Sequence, residues 1–329
     1  MSGVSQKIVS NDEDGMRLDR WFALHFSQVP FGRIQKLLRT GQIRVDKGRV
    51  KTNTRLKTGQ VVRVPPIDDA PKDSKPRFSE KDAQFLCSLI LYEDDDVYVF
   101  NKPHGLAVQG GSGTKIHIDQ MLKSLPNKKG EAPRLVHRLD RDTSGCLLVA
   151  KTRLAASHLG KIFRSRSARK IYWALTVGVP NPPQGNISCF LGKKKTQNGE
   201  QMAVVHKDVK GAVHSLSYYS VTDNAGRSFA WVTLKPVTGR THQLRVHMNQ
   251  LGVPILDDPR YFELENHHWE RPEDLGKGLH LHARRLALPL PNGKRLDISA
   301  PLPKHMQQSF DLLGFDAARF DVQDNDPEQ

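Results

Sequence analysis

The sequence predicts an α+β protein with two domains. Its 329 residues are about twice the length of an average domain. Short helical periodicities occur in residues 16–66, and the following region contains many β-favouring runs with few helical stretches. Hydrophobic residues make up 37% of the chain, which is enough for a sizeable core. These patterns predict a small helical unit followed by a larger, mainly antiparallel or mixed β domain.

The charge balance favours a polyanionic partner. The chain has 50 Lys and Arg residues against 35 Asp and Glu residues, a formal net charge of +15. Phosphates attract such a surface, so nucleic acid is the first partner to consider. We expect no membrane insertion and no secretion, because no long apolar run and no signal-peptide pattern is present. Three widely spaced cysteines without a C-x-x-C pair argue against a disulfide framework and a thiol zinc site (Cys87, Cys146 and Cys189).

The first domain is predicted over residues 16–66, after a polar, flexible tail at residues 1–15. Two stretches, MRLDRWFALHF and FGRIQKLLRTG, show helical spacing of apolar residues, and Gly41 ends the second. Two short β-favouring runs follow in IRVDKGRV, and the alternation of QVVRVPP ends at Pro65. The unit therefore combines two helices with a β-hairpin.

Basic residues lie on the polar side of the second helix. Arg33, Lys36 and Arg39 share this side, and Arg44 follows shortly after. A solvated charged face is the ordinary interpretation of such a pattern. The unit resembles the S4 RNA-binding domain, however, and that resemblance implies that these four residues contact RNA.

Residues 67–84 are rich in proline, serine and charge, so they are predicted to form a linker. The second domain is predicted over residues 85–305, with residues 306–329 as a C-terminal tail. Its strands are expected in VYVFNKP, CLLVAK, IYWALTVG and FAWVTLKPV, and its helices in RLAASHLGKIF and THQLRVHMNQLG. This strand-rich pattern is typical of an α+β core.

A polar loop between two apolar runs is the most informative segment. In LVHRLDRDTSGCLLVAK, residues 135–151, the loop contains His137, Arg138, Asp140, Arg141 and Asp142. Loops held by a rigid scaffold frequently carry catalytic groups. Spacing alone is equally compatible with Asp140 pairing with Arg138 or Arg141 as a structural staple.

Three motifs in order resemble the RluA family of pseudouridine synthases. They are HRLDRDTSG at residues 137–145, KIYWA at 170–174 and TGRTHQLRVH at 238–247. With the S4-like unit in front, the similarity spans nearly the whole chain. It is to the bacterial large-subunit ribosomal RNA synthases of the C and D types, and HRLDRDTSG is more similar to the C type. The resemblance implies a mixed, largely antiparallel sheet with an active site in a basic cleft.

The resemblance also implies three catalytic residues. Asp140 is the acid that acts on the ribose or the base, Arg245 is its ion-pair partner, and Tyr172 packs against the target base. A cation within about 4–6 Å would keep the carboxylate ionised. From spacing, Thr241 is expected to cap the helix of Arg245 and to share its face. Without the resemblance, Arg245 would be assigned to solvated helix surface and Tyr172 to half-buried core.

RNA contacts are expected from three further residues. Arg138 is predicted to hold the target nucleotide in a flipped state, with a salt bridge to Asp142 as the structural alternative. Arg240 and His242, from the third motif, are assigned to RNA binding.

The predicted function is isomerisation of specific uridines to pseudouridine in 23S ribosomal RNA, by a cytoplasmic protein that is expected to be a monomer. No metal and no cofactor are expected. Two alternatives remain: a D-type synthase or one acting on another RNA, and a non-catalytic S4-type factor that binds RNA during ribosome assembly.

Overall fold

A computed structural model describes residues 4–26, 29, 31–67, 79–110, 116–127, 130–196, 199–262, 270–320 and 327. The chain forms two compact units, Met1–Arg77 and Phe78–Gln329, and each is described by itself. Residues 68–78, which make up most of the predicted linker, lie outside the described residues. Residues 321–326 and 328–329 of the predicted C-terminal tail also lie outside them. No helix in the described ranges is long and apolar enough to span a bilayer.

The first unit contains two helices and a three-stranded antiparallel sheet in the order β1-β3-β2. Its elements are β1 (Ser5–Ile8), α1 (Leu18–His25), α2 (Phe31–Arg39), β2 (Arg44–Val45) and β3 (Val61–Val64). Both predicted helices are therefore present. The predicted hairpin is only partly correct: Asp46 and Lys47 form a left-handed turn that bridges Val45 to Gly48, but β2 pairs with β3 rather than with the residues directly after the turn.

The prediction of a flexible tail over residues 1–15 is wrong for residues 4–15, the part that the structure describes. Strand β1 pairs with β3 along its whole length, from Ser5 opposite Val64 to Ile8 opposite Val61. Further on, Glu13 is buried and its carboxylate accepts hydrogen bonds from the Trp21 indole (3.0 Å) and the Ser10 backbone N–H (3.0 Å). Burial raises the pKa of Glu13, but hydrogen bonds from Ser10, His25 and Trp21 bring this pKa down to about 2. The polar composition hid this order because β1 pairs through its backbone while all its side chains are exposed.

The second unit is built on a single large sheet. Within the described residues this sheet has 11 strands, in the order β10-β9-β11-β12-β8-β13-β7-β5-β4, with β14 beside β13 and β6 beside β7. The strands are β4 (Ile90–Glu93), β5 (Val97–Lys102), β6 (Arg134–Leu135), β7 (Ser144–Ala150), β8 (Arg169–Val177), β9 (Gln184–Thr196), β10 (Gly199–Val205), β11 (Val213–Ala225), β12 (Phe229–Pro236), β13 (Leu281–Pro289) and β14 (Arg295–Ser299). The four predicted strands are among them as β5, β7, β8 and β12.

Five helices of the second unit lie within the described residues. They are α3 (Glu80–Ser88), α4 (Ile118–Met121), α5 (Arg153–Ser165), α6 (Gln243–Gln250) and α7 (Lys304–Leu313). The two predicted helices correspond to α5 and α6. Helix α5 begins because the Thr152 side chain accepts the Ala155 N–H, and it buries Ala155, Leu159 and Ile162 at helical spacing.

Both predicted limits of the second domain, 85 and 305, are wrong. Helix α3 begins at Glu80, inside the predicted linker, where the Ser79 side chain caps it by accepting the Asp82 N–H. At the other end, α7 and the residue Phe315 belong to the core, since Met306 and Phe310 are fully buried. The Phe310 ring packs on Trp231, with centroids 5.0 Å apart. The sequence patterns at residues 79–84 and 306–315 predict neither the Ser79 cap nor the packing of Phe310 on Trp231.

Strand β7, which begins at the end of the HRLDRDTSG motif, requires a glycine at its second residue. Gly145 lies in β7, next to β13, in the parallel pairing of the large sheet, opposite Ala283. Its φ is +105°, and a Cβ at this position would lie 2.3 Å from the carbonyl oxygen of Ala283. Only glycine allows this close approach of the two strands.

We expect Gly145→Ala to lower the free energy of unfolding by about 3 kcal/mol, because it combines an overpacked contact with left-handed strain. Gly226→Ala is the matched control: its φ is +60°, but no atom lies within 4 Å of the added Cβ. The control should lose only about 1 kcal/mol. Urea unfolding of both proteins measures the difference, and equal losses would contradict the close-approach argument.

Candidate active site

The loop between β6 and β7 presents Asp140 to a cleft. The Asp140 backbone carbonyl accepts the Thr143 N–H at 3.2 Å, which closes a tight turn. Its carboxylate is 28% exposed, and no described residue donates a hydrogen bond to it within 3.5 Å. The loop is thus fixed through its backbone while the acid group stays accessible.

His137 anchors the start of this loop. Its Nε2 accepts the backbone N–H of Leu148 at 2.9 Å, and its ring stacks on Phe163 with centroids 4.6 Å apart. Burial, together with the charge of Lys170, lowers the pKa of His137 to about 3. The imidazole is therefore neutral and carries its proton on Nδ1.

Lys102 anchors the loop from beneath. This lysine is fully buried at the end of β5, and its ammonium donates to the backbone carbonyls of Pro103 (2.9 Å), Leu106 (2.8 Å) and Arg141 (2.8 Å). Burial lowers the pKa of Lys102 to about 7, although Asp142 and Asp140 oppose that decrease. Because Arg141 directly follows Asp140, these hydrogen bonds fix the position of the acid.

Helix α6 carries Arg245, but Thr241 does not cap it. Thr241 is exposed and precedes the helix, whereas Arg245 is 2% exposed, so the two do not share a face as predicted. His242 occupies the N-cap position of this helix, and its side chain makes no capping hydrogen bond. The Oε1 of Gln243, the first helical residue, accepts the Arg240 N–H (3.1 Å) and the Thr238 hydroxyl (2.6 Å), and so it fixes the segment that leads into the helix.

Arg245 lies between two carboxylates. Its Nε and Nη2 donate to Oδ2 and Oδ1 of Asp258 at 2.7 and 2.6 Å. Its Nη1 lies 4.0 Å from Oδ2 of Asp140. Burial alone lowers the pKa of Arg245, but hydrogen bonds to Asp258 and the charges of Asp258 and Asp140 raise it above its ordinary value. The expected ion pair with Asp140 is present as a longer contact, and the closer partner is Asp258.

Tyr172 lies on β8, and its phenol interacts electrostatically with the Asp140 carboxylate. Its side chain is half-buried, whereas Trp173 points to the other face and is 1% exposed in the core, as predicted. Burial raises the pKa of the Tyr172 phenol, and the negative charge of Asp140 raises it further. The hydroxyl group is therefore protonated at neutral pH.

The side chains of Asp140, Tyr172 and Arg245 line one cleft of about 900 Å³. Of the described residues that line it, Asp140 is the only carboxylate. The other charged residues of this lining are all cationic: Arg138, Arg141, Arg164, Arg166, Lys170, Arg240 and Arg245. A polyanion would be attracted to such a cleft and would meet one acid inside it.

The three predicted RNA-binding residues of the second unit also line this cleft. Arg138 is exposed and donates to Gln109 Oε1 at 3.3 Å, and within the described part of the chain it makes no ion pair with Asp142. Arg240 donates to the His214 carbonyl at 3.1 Å. His242 Nδ1 lies 2.7 Å from the Tyr261 hydroxyl. Burial lowers the pKa of His242, and Asp140 opposes this.

Comparisons with known proteins identify the family of this chain. A family model described as RNA pseudouridylate synthase matches residues 96–250, which include Asp140, Tyr172 and Arg245. The ribosomal large subunit pseudouridine synthase C of Escherichia coli is 37% identical over 94% of this chain and 97% of its own length. The chain belongs to the RNA pseudouridylate synthase family. The mitochondrial RNA pseudouridine synthase 4 of Arabidopsis thaliana is 33% identical over 92% of this chain and 80% of that protein.

A solved structure supports the same family. The human RNA pseudouridylate synthase domain containing 4 superposes with a TM-score of 0.58 at 32% identity, covering 70% of this chain and 95% of that one. The large antiparallel sheet of the second unit is thus that of an RNA pseudouridylate synthase.

Two of the four basic residues predicted to bind RNA in the first unit line the same hollow. Lys36 and Arg39 line a separate hollow of about 750 Å³ on that unit, together with Arg17 and Lys51. Arg33 is exposed on α2, outside this lining. Arg44 instead donates to the Gly41 carbonyl at 3.0 Å.

Sequence reasoning missed several residues of this pseudouridylate synthase site: Lys102, Lys170, Asp258 and Tyr261. Asp258 is followed by proline, so the letters indicate only a turn. Lys102 ends a strand whose first four residues are apolar or aromatic and whose fifth is Asn101, and a lysine at a strand end normally indicates solvent. Among the described residues, no group of three or more His, Cys, Asp or Glu side chains could hold a metal ion.

Lys170 predicts a pH dependence of RNA binding. Its ammonium lines the cleft and has no hydrogen-bond or ion-pair partner among the described residues. Burial and the neighbouring Arg166 lower the pKa of Lys170 to about 8, so the cation is present below pH 8 and is lost above it.

We expect the affinity for RNA to fall by up to about tenfold between pH 7 and pH 9 in a filter-binding assay, because one charged contact is lost. Lys170→Met should bind more weakly at pH 7 and show a flatter pH dependence. Lys161→Met, an exposed lysine on α5 outside the cleft lining, is the control. An unchanged pH dependence in Lys170→Met would contradict this assignment.

Proposed function

We propose that this protein converts specific uridines of large-subunit (23S) ribosomal RNA to pseudouridine. The names of its relatives support the substrate: synthase C of Haemophilus influenzae and that of Escherichia coli are both described as acting on the ribosomal large subunit. Both are similar to this chain over more than nine-tenths of its length. The observation that carries the proposal is the carboxylate of Asp140, the only one among the described residues that line the cationic cleft, which lies beside the buried Arg245.

Asp140 is the group that starts the reaction. Isomerisation requires cleavage of the N1–C1′ bond, rotation of the uracil while it stays bound, and a new bond from C1′ to C5. The carboxylate acts either as a nucleophile or as the base that removes the C2′ proton. Both routes need a carboxylate that is not engaged in hydrogen bonds, and no described residue donates a hydrogen bond to the Asp140 carboxylate within 3.5 Å.

Arg245 and Tyr172 assist from two sides of the cleft. The Arg245 cation lies 4.0 Å from the Asp140 carboxylate and attracts its negative charge. The phenol of Tyr172 is protonated, so it is not poised to accept the C5 proton of the product. We therefore assign Tyr172 to stacking and hydrogen bonding with the uracil.

RNA enters as a flipped nucleotide, since neither reaction centre is reachable within a stacked helix. The cations of the cleft bind the phosphates on either side, and Arg240 and His242 belong to this group. Arg138 occupies the space left by the extruded base or binds a phosphate next to it. Its exposure and its single neutral partner, Gln109, leave it free to do so.

The first unit acts as an S4-like RNA-binding domain. Its two helices bury their apolar sides, including Trp21 and Ile34, and expose Arg33, Lys36 and Arg39 on α2. We place the protein in the cytoplasm as a monomer, where ribosomal RNA is available as its polyanionic partner.

A non-catalytic assembly factor is the alternative from another class. It would need the basic surfaces but not an accessible acid beside a buried arginine, and so the cleft argues against it. A D-type synthase, or one acting on another RNA, would use the same site with different RNA contacts.

We expect Asp140→Asn to reduce tritium release from 5-tritiated uridine in a 23S transcript by at least about 10³-fold, because the variant has neither a base nor a nucleophile. The affinity for the transcript should stay within about threefold of wild type, since the shape and the cations of the cleft are unchanged. Substantial turnover by Asp140→Asn would exclude Asp140 as the catalytic acid.

Arg138→Ala tests the role in base flipping. We expect at least about a tenfold slower reaction on the folded transcript and a much smaller change on an unstructured oligonucleotide, where little unstacking is needed. Arg227→Ala, an exposed arginine in the turn between β11 and β12, is the control. Equal effects of Arg138→Ala on both RNAs would show that it contributes general affinity only.

A further inference from the structure

The guanidinium of Arg245 has a divided set of contacts. Two of its nitrogens, Nε and Nη2, form a paired interaction with Asp258 at 2.7 and 2.6 Å. The remaining nitrogen, Nη1, lies 4.0 Å from Asp140, beyond hydrogen-bond distance. The arginine is therefore bound to the carboxylate that does not line the cleft and only approaches the one that does.

Asp258 is held independently of the arginine. Its side chain is 0% exposed. Besides Arg245, its Oδ1 accepts the backbone N–H groups of Arg260 (2.9 Å) and Tyr261 (3.1 Å). A carboxylate fixed by two backbone donors imposes its plane on the arginine, because a paired interaction requires the two planar groups to be aligned.

The same turn supports the cleft in a second way. The ring of Tyr261 lies under Arg245, 5.1 Å from Cζ to the ring centroid. The Tyr261 hydroxyl lies 2.7 Å from His242 Nδ1 and accepts the Met202 N–H at 3.2 Å. The short turn of residues 258–261 therefore contacts two side chains of the cleft wall, Arg245 and His242.

Arginine and carboxylate groups form their strongest contact when two nitrogens meet two oxygens. If Arg245 lacked Asp258, the preferred partner within reach would be Asp140. Such a pair would occupy both oxygens of the catalytic carboxylate and hold it away from the ribose. Asp258 prevents this by engaging the edge of the guanidinium that could form that pair.

We propose that Asp258 is a positioning residue for uridine isomerisation: it retains Arg245 so that the arginine supplies charge to Asp140 without capturing it. This inference rests on the proposed roles of Asp140 and Arg245. Asp258 does not line the cleft, and it acts only through Arg245. It lies outside the segment that matches the family model, residues 96–250.

The chain offers a matched control beside Asp258. Asp257 also pairs with an arginine, since its Oδ1 and Oδ2 accept from Arg271 Nε and Nη2 at 2.8 and 3.0 Å. It also accepts the Gly278 N–H at 3.1 Å. Neither Asp257 nor Arg271 lines the cleft. Asp257→Asn thus removes a similar ion pair at the residue directly before Asp258, and it leaves the contacts of Arg245 unchanged.

The test uses the full-length protein and tritium release in a single turnover with enzyme in excess over a 23S transcript, together with filter binding. Asp258→Asn should slow the bound-state reaction by about 10²-fold, the size expected for misplaced catalytic groups. The dissociation constant should stay within about threefold of wild type. Asp257→Asn should react within about twofold of wild type.

A double-mutant cycle separates positioning from a merely structural effect. If Asp258 acts only through Arg245, then Arg245→Met combined with Asp258→Asn should be no slower than Arg245→Met alone, within about twofold. If the two losses multiply instead, the inference is overturned. A near wild-type rate in Asp258→Asn overturns it as well.

A second variant, Asp258→Glu, keeps the test valid if Asp258→Asn does not fold. Because removing one partner of a buried pair is costly, Asp258→Asn could fail to fold, which circular dichroism would reveal. Asp258→Glu then replaces it: the charge is kept, but the carboxylate moves by one methylene. This variant should also lose rate without losing affinity, and a wild-type rate would overturn the inference. If Asp140→Asn is inactive while Asp258→Asn is fully active, only the inference fails; an active Asp140→Asn removes the proposed site itself.

Discussion

Arg245 is a buried cation whose guanidinium is shared unequally between two carboxylates, and the active-site geometry depends on that arrangement. A guanidinium that is 2% exposed is stable only when an opposite charge satisfies it. Asp258 supplies that charge from a turn whose backbone holds the carboxylate in place. The pairing leaves one nitrogen, Nη1, 4.0 Å from Asp140, so the positive charge of Arg245 acts on that carboxylate.

The opposite side of the site follows a different rule, because Asp140 is positioned through its backbone. Lys102 binds the carbonyl of the next residue, His137 accepts an N–H from β7, and Gly145 lets that strand approach β13 closely. None of these contacts uses the Asp140 carboxylate. A rigid loop with an unengaged acid suits a reaction in which the carboxylate must attack or abstract a proton.

Local signals in the sequence were sufficient for much of the fold. The helical periodicities of α1, α2, α5 and α6 and the apolar runs of β5, β7, β8 and β12 correspond to elements of the structure. Errors occurred where distant partners decide. Strand β1 exposes all its side chains and is ordered by backbone pairing with β3, and α7 is held by Trp231 from another part of the chain. The predicted Thr241 cap is wrong because the helix begins at Gln243, which places His242 rather than Thr241 at the N-cap position.

By itself the sequence determined the identities of Asp140, Tyr172 and Arg245, since three ordered motifs carry them, and the excess of positive charge that suits RNA. Only the tertiary structure decided the partner of Arg245. Motif order names the residues that meet, but the strength of an ion pair depends on distance, burial and the orientation of both groups. Asp258 follows Arg245 by 13 positions in a proline-containing turn, and no periodicity relates the two residues. Folding brings them within hydrogen-bond distance, while Asp140 stays 4.0 Å from the arginine.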